Sequence, residues 1–147
     1  MIYLGSDHAG FELKEKIKKY LVDLKHEVDD LGAHALDSKD DYPKYAHAVA
    51  KKVADEGARG ILFCGNGVGV CVVANKVPGV RAAIGYSTYA AETSRTDDDT
   101  NVLCLAGRVL KPDEAKDIVR TWLTTDFSGA ERHVRRLRHV QKIEKAK

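Results

Sequence analysis

The chain has 147 residues, 44% apolar and 31% charged, with 24 basic side chains against 22 acidic ones for a net charge of +2. That length fills one domain able to bury roughly two thirds of its surface, and the composition excludes a disordered chain, a disulfide-stapled minidomain and a second full domain. No apolar run approaches the roughly 18 to 20 residues that span a bilayer, and the start, Met1-Ile2-Tyr3-Leu4-Gly5-Ser6-Asp7, carries neither a basic region nor a cleavable apolar stretch, so a cytoplasmic location is expected.

Short apolar runs alternate with amphipathic stretches of helical period, the signature of β-α units around a parallel sheet. Ile2–Gly5 reads as the first strand. Leu13, Ile17, Tyr20, Leu21 and Leu24 then recur at helical steps and face the sheet, which turns Lys14, Glu15, Lys18 and Lys19 toward water. Glu27–Leu31 is a weaker second strand and Asp37–Asp41 a polar loop; Tyr42-Pro43 opens a helix through Ala46, Val49, Ala50, Val53 and Ala54 that Gly57 ends. Gly60–Cys64 is the clearest buried strand, apolar on both faces and followed by a glycine-rich turn. A short helix over Val70–Lys76, a strand over Val80–Gly85, a helix over Thr88–Arg95 and a strand over Val102–Ala106 come next. Lys111-Pro112-Asp113-Glu114 starts a helix whose apolar face is Ala115, Ile118, Val119, Trp122 and Leu123.

The expected architecture is an α/β fold: a three-layer, doubly wound, five-stranded parallel sheet, Rossmann-like, over residues 1–130. Ligands in such folds sit outside the carboxyl ends of the strands. Thr125–Gly129 reads as a linker to residues 131–147, where seven Lys and Arg against two Glu give +5, while the first 130 residues sum to −3. In this basic arm Val134, Leu137, Val140 and Ile143 recur by threes, a narrow stripe suited to packing on a partner subunit.

Cys64-Gly65-Asn66-Gly67-Val68-Gly69 falls at a strand's carboxyl end and opens a helix, which aims its backbone N–H groups at the site as an anion cradle. The dinucleotide fingerprint needs a glycine where Val70 stands, and the Walker motif needs a following Gly-Lys-Ser/Thr, so both nucleotide readings weaken. A glycine-rich turn without a ligand stays open. Three cysteines spaced by seven and thirty-three residues fit neither a disulfide framework nor a zinc pattern and are expected as reduced thiols. Cys64, beside unpaired amides, is placed to act as nucleophile or base, whereas Cys71 and Cys104 read as core.

Asp7-His8 brings a carboxylate and an imidazole to the same edge. Asp97-Asp98-Asp99 reads as a capping or substrate-binding loop, since three consecutive carboxylates cannot all face one magnesium ion. Arg108 follows the fifth strand, and Arg132 and Arg136 stand four apart on one helical face, a geometry for gripping phosphate. For these arginines alone, a solvated basic tail and a nucleic-acid contact remain alternatives.

Taken together, Gly5-Ser6-Asp7-His8-Ala9-Gly10, Asp41-Tyr42-Pro43, Cys64-Gly65-Asn66-Gly67-Val68-Gly69, Ala74-Asn75-Lys76, Thr100-Asn101-Val102-Leu103 and Arg132-His133 resemble ribose-5-phosphate isomerase type B nearly from end to end. The same superfamily includes the galactose-6-phosphate isomerase subunits. The resemblance implies an aldose-ketose isomerase that works through an enediolate, with no metal and no organic cofactor. It also implies a homodimer or homotetramer with shared active sites, and no nucleic-acid or membrane partner. Cys64 would be the base that moves a proton between C1 and C2, and the amides of Gly65, Gly67 and Gly69 would hold the oxyanion. Asp7, His8 and Tyr42 match sugar-contacting positions. Arg108, Arg132 and Arg136, with His8, match the phosphate clamp, the tail arginines coming from the neighbouring subunit.

Two positions depart from the family pattern. Asn66 stands where the family has a Thr or Ser hydroxyl that shuttles protons, and an amide donates a hydrogen bond but does not readily relay a proton. Asp97 and Asp98 stand where the family has a ring-opening His and an Asn that binds the enediolate oxygens; Asp97 can still act as a general base on a hydroxyl. Asn66 and Asp97 are therefore carried as catalytic candidates and Asp98 as a substrate-binding one. The expected reaction is ribose 5-phosphate to ribulose 5-phosphate in the pentose phosphate pathway. Alternatives are a hexose 6-phosphate, a catalytically weak sugar-phosphate-binding subunit, and a tetrose 4-phosphate, whose only ring-closing oxygen is blocked by phosphate.

Overall fold

Five parallel strands, β1 (Ile2–Ser6), β2 (Val28–Asp30), β3 (Arg59–Cys64), β4 (Ala82–Ile84) and β5 (Val102–Ala106), form one sheet in the order β2-β1-β3-β5-β4. The computed structural model describes residues 1–146; Lys147, the last residue of the basic tail, lies outside them. The helices are α1 (Phe11–Asp23), α2 (Tyr42–Glu56), α3 (Val68–Ala74), α4 (Thr88–Asp98), α5 (Pro112–Thr124) and α6 (Glu131–Lys145), with a 3₁₀ turn at His8–Gly10. None of them is long and apolar enough to cross a membrane.

The inner strands are apolar on both faces apart from Ser6 and Arg59 at their ends, because alternate residues feed two helix layers. Ile2, Leu4, Ile61, Phe63, Leu103 and Leu105 pack against Leu13 and Ile17 of α1 and Ile118 and Trp122 of α5. Tyr3, Leu62, Cys64, Val102 and Cys104 face the other way, toward Ala46, Val49 and Val53 of α2 and Val70 and Ala74 of α3. Each fully buried Leu, Ile or Phe among them contributes about 1.5–3 kcal/mol. The expected three-layer sheet is present.

Register places the site. Ser6 pairs with Phe63 and Cys64 with Ala106, so Asp7, Gly65 and Gly107 leave β1, β3 and β5 side by side. The chain passes from β1 to β2 on one side and from β3 out to the edge strand β4 and back to β5 on the other, so the crevice between β1 and β3 is the topological switch point where such folds bind ligands.

Several expectations change. Strands β2 and β4 are three residues each, shorter than the apolar patterns suggest, because both lie at sheet edges where ladder pairing ends early. Lys14 does not face water: it is fully buried, with Nζ 2.8 and 2.9 Å from the two oxygens of Asp30 and donating also to the Ala33 carbonyl. The α1 face carrying Lys14 lies over the end of β2, which supplies the carboxylate that makes a buried ammonium tolerable. Cys104 is buried at the centre of the sheet as expected, whereas Cys71 is only half-buried, at the rim of the α2–α3 layer.

The three aspartates are not a loop. Helix α4 runs through Asp97 and Asp98, and only Asp99 leaves it, at φ 46°. Asp99 closes the helix as a left-handed cap, its N–H on Arg95 O, and buried Arg95 braces that end by donating to Thr100 O at 2.6 Å, to Asp99 Oδ1 at 2.8 Å and to Thr125 O at 3.1 Å. The Thr125–Gly129 segment is correspondingly pinned rather than free, with Ser128 N–H on Thr96 O at 3.1 Å. Helix α6 is tied to its own chain at both ends, through buried His133 and through Glu144, which accepts from the Gly79 amide at 3.2 Å. Of its apolar stripe, Val134 and Leu137 are half-buried and Val140 and Ile143 exposed.

Candidate active site

The strand ends enclose a cavity of about 620 Å³, within the range of small-ligand sites. Its walls include Asp7 and His8 after β1, Tyr42 at the start of α2, Cys64, Gly65, Asn66 and Gly69 after β3, and Arg108 after β5. Most of the residues expected from the sequence thus meet in one place.

The glycine-rich turn is held by groups other than the glycine amides. Gly107 N–H donates to Cys64 O at 2.8 Å, Arg108 N–H to Gly65 O at 3.0 Å, and Val68 N–H to Asn66 Oδ1 at 2.9 Å. The N–H groups of Gly65, Gly67 and Gly69 take no part in these three bonds. Gly67 sits at φ 76°, a left-handed conformation that a side chain would strain, and a Cβ on Gly69 would meet the Tyr42 ring at 2.6 Å. Tyr42 therefore closes the Gly69 end of the cavity. Arg108 lies over Gly65 at the other end, its Nη1 3.2 Å from where a Gly65 side chain would begin, with the Ala9 methyl beside it.

Cys64 is 3% exposed and lines the cavity from its floor. Its thiol lies 3.8 Å from Asn66 Oδ1, a weak contact to the oxygen that already accepts from Val68, so the Asn66 carbonyl is engaged and its amino group is the half left for a ligand. Asp7 is buried and caps the following turn, accepting from Gly10 N–H at 3.0 Å. His8 is held by Asp40, a residue sequence reasoning left inside a polar loop. The acidic run Asp37–Asp41 was the available signal, but spacing does not tell which carboxylate turns inward.

Asp97, Asp98, Arg132 and Arg136 do not line this cavity, and of the three glycines Gly67 is not in its wall, lying behind it against Leu105 and Ala106 of β5. Asp97 lies 3.6 Å from His133 Nε2, while His133 Nδ1 meets Ser128 Oγ at 2.6 Å. Asp98 is exposed at the end of α4. Arg135 pairs with Glu131 at 2.7 Å, whereas Arg132 and Arg136, both exposed, enter none of the ion pairs among the described residues. One chain assembles the strand-end cavity and, apart from it, a second set of charged side chains of which Asp98, Arg132 and Arg136 are exposed.

The other two thiols behave as a pair. Burial and a hydrogen bond with Cys71 push Cys104 well above the ordinary thiol range. The same bond, aided by the Asn75 amide, holds Cys71 below that range despite its partial burial.

This is a strand-end cleft of a doubly wound α/β fold, with a cysteine, glycines of the turn that follows it and an arginine lining one cavity. Comparison with known proteins defines it further. The family model described as Ribose/Galactose Isomerase matches residues 2–140, and the chain belongs to that family. It is 43% identical over 144 residues to ribose-5-phosphate isomerase B of Escherichia coli, covering 97% of this chain and 95% of that one. The solved structure of Clostridium thermocellum ribose-5-phosphate isomerase B superposes with a TM-score of 0.95 at 43% identity, covering 99% and 97% of the two chains. The Mycoplasma genitalium ribose-5-phosphate isomerase B structure, with bound ribulose-5-phosphate, gives 0.95 at 42% identity and the same coverage.

Proposed function

We propose that this chain is an aldose-ketose isomerase that interconverts ribose 5-phosphate and ribulose 5-phosphate through an enediolate, acting in the cytoplasm as a homo-oligomer with shared sites. The observation that carries the reading is the meeting of Cys64, the Gly65–Gly69 turn, Tyr42, Asp7, His8 and Arg108 around one cavity. The name and the bound ketose phosphate of the Mycoplasma genitalium relative support the substrate.

The chemistry follows from the two ends of the cavity. Arg108 and His8 hold the phosphate, which sets C1 and C2 over Cys64. The thiolate takes the C2 proton, so the C2–H bond breaks as S–H forms, and negative charge moves onto O1. The amides of Gly65, Gly67 and Gly69 meet that charge; one such donor is worth about 3–4 kcal/mol in comparable sites. The O2 proton passes to O1 and the thiol returns its proton, to C1. Asn66 donates to the sugar oxygens through its amino group while Val68 occupies its carbonyl.

Asp97, Asp98, Arg132 and Arg136 complete the site from a second copy. The arginines supply further phosphate contacts, Asp97 acts as base on a sugar hydroxyl, and Asp98 contacts substrate. Exposed Val68, Val72, Tyr86, Tyr89, Val109 and Ile143 support an oligomeric surface, since large apolar side chains are not normally left in water as a group. Residues 1–130 then form the isomerase domain and 131–147 the arm that reaches the partner.

The test is proton exchange at C2 in deuterated water together with turnover of ribose 5-phosphate. Wild type exchanges and turns over; Cys64→Ala does neither while still binding the sugar phosphate. Exchange that survives in Cys64→Ala would refute the role of the thiol.

A second substrate is favoured by one observation. Asp97 stands where the family has a ring-opening histidine and lies beside His133. A tetrose 4-phosphate cannot close a ring and needs no such group, so turnover of erythrose 4-phosphate above that of ribose 5-phosphate would select it.

A further inference from the structure

His8 is bonded twice to a single carboxylate that the reaction described so far does not use. Oδ1 of Asp40 accepts from the His8 backbone N–H at 2.9 Å and faces the ring nitrogen Nδ1 at 2.7 Å. The Asp40 side chain is only 6% exposed, and its second oxygen, Oδ2, is buried without a partner among the described residues. Asp7 lies in the same cluster, a carboxylate oxygen of it within 4.8 Å of a His8 ring nitrogen and of an Asp40 oxygen, and Arg108 lines the same cavity with Tyr42 and Cys64. Among the described residues these are the charged and titratable groups that bond to His8 or line its cavity.

Counting donors decides what the ring can do. An ionised carboxylate only accepts, so Nδ1 must carry a hydrogen. In a neutral imidazole Nε2 is then a lone pair, which repels a phosphate oxygen rather than holding it. His8 can serve beside Arg108 as a phosphate donor only with hydrogens on both nitrogens, a cation between Asp40 and the anion. We propose that Asp40 is a positioning residue that commits His8 to this doubly protonated form when the substrate's phosphate binds, making this end of the cleft selective for a phosphate dianion.

The proposal rests on the sugar-phosphate reading above, and inorganic phosphate is chosen as the probe so that the two stand or fall separately. Phosphate is titrated into the full chain by calorimetry while the ring nitrogens of His8 are followed by ¹⁵N NMR, assigned with His8→Gln. In wild type saturated with phosphate, both nitrogens should show protonated shifts. Asp40→Asn keeps an acceptor oxygen and the side-chain shape but removes the charge. Its phosphate Kd and its KM for ribose 5-phosphate should rise by about tenfold, the scale of one charge-assisted hydrogen bond, with kcat changed less than about twofold. Asp40→Glu should recover part of the loss.

One protonated ring nitrogen in the phosphate-saturated wild type overturns the proposal, and that measurement needs no variant. So does an unchanged phosphate Kd in a folded Asp40→Asn protein, or a fall in kcat with KM and Kd unmoved. A protein that gives the two-proton signature yet turns over no ribose 5-phosphate would refute the assigned substrate and leave Asp40's role standing.

Discussion

The carboxyl edge of β1, β3 and β5 and the far corner where α4 meets α6 both gather charged side chains, but the second leaves several of them exposed. At the strand edge Asp7 is held by the Gly10 N–H it accepts from, His8 is clamped by Asp40 and Asn66 is fixed by the Val68 N–H, and Asp7, His8 and Asn66 all line one cavity. At the corner, Arg95 and His133 are locked inward, while Asp98, Arg132 and Arg136 are left exposed. Preorganised groups stabilise a transition state because their ordering cost is met in folding; exposed ones contribute only after something orders them. On the shared-site reading proposed above, the contrast is that one chain prepares half a site and displays the other half for a neighbour.

The comparison breaks most sharply at the prepared half. Cys64→Ala should lower kcat by about 10³-fold or more, within the range expected for losing a positioned base, while KM changes little. Single-turnover assays with ribose 5-phosphate measure it, and near-normal turnover would mean that the cleft is not where the chemistry happens. Next in size is the clamp beneath that half. Asp30→Ala strands the fully buried Lys14 ammonium and should destabilise the fold by about 3–5 kcal/mol, read as a shift in urea midpoint at fixed protein concentration. A loss below about 1 kcal/mol would show that Lys14 finds water instead.

The displayed half is tested by mixing. Cys64→Ala and Arg136→Ala proteins, each impaired alone, should regain about a quarter of wild-type activity when unfolded together and refolded at equal amounts, because half of the dimers formed are hybrids and each hybrid has one of its two sites intact in both halves. No recovery from the mixture would mean that Arg136 serves its own chain's cleft or none.

The two halves also differ in how readily the sequence reveals them. Alternating apolar runs expose β1, β3 and β5, since both faces of these strands are buried, and a glycine-rich turn directly after β3 marks the cleft. The short edge strands β2 and β4 are harder to bound because flanking residues continue their patterns without ladder partners. Lys14 is misread as a surface lysine because helical period reports a face and not what waits there; Asp30 comes from a strand sixteen residues later. Asp97 and Asp98 look like a loop since consecutive aspartates are poor helix formers, yet the buried contacts of Arg95, with Trp122 Nε1 on Thr100 Oγ1 at 3.0 Å, carry α4 past them. Long-range polar pairs such as His8–Asp40 have no period at all.

The smallest effect expected is in the acid dependence of that clamp, and its sign is fixed by Asp30. Burial alone would raise the Asp30 pKa, but hydrogen bonds from Lys14, Lys18 and the Gly32 amide outweigh it and hold the group below the ordinary carboxylate value. A depressed folded pKa means that the unfolded chain binds the proton first. The stabilisation is complete above the unfolded value near ~3.9 and is lost as pH falls through the lower folded one. Lys18 behaves in the opposite sense: its hydrogen bond to Asp30 raises it against the opposing effect of burial, so its share is present below the ordinary lysine range and lost as pH rises through the raised value. The stability gap between wild type and Asp30→Asn should therefore be flat near neutrality and narrow at both extremes. Denaturation midpoints measured across that range test it. Parallel curves for the two proteins down to acid pH would mean that Asp30 titrates no differently folded than unfolded, and that Lys14 is held chiefly by the Ala33 carbonyl.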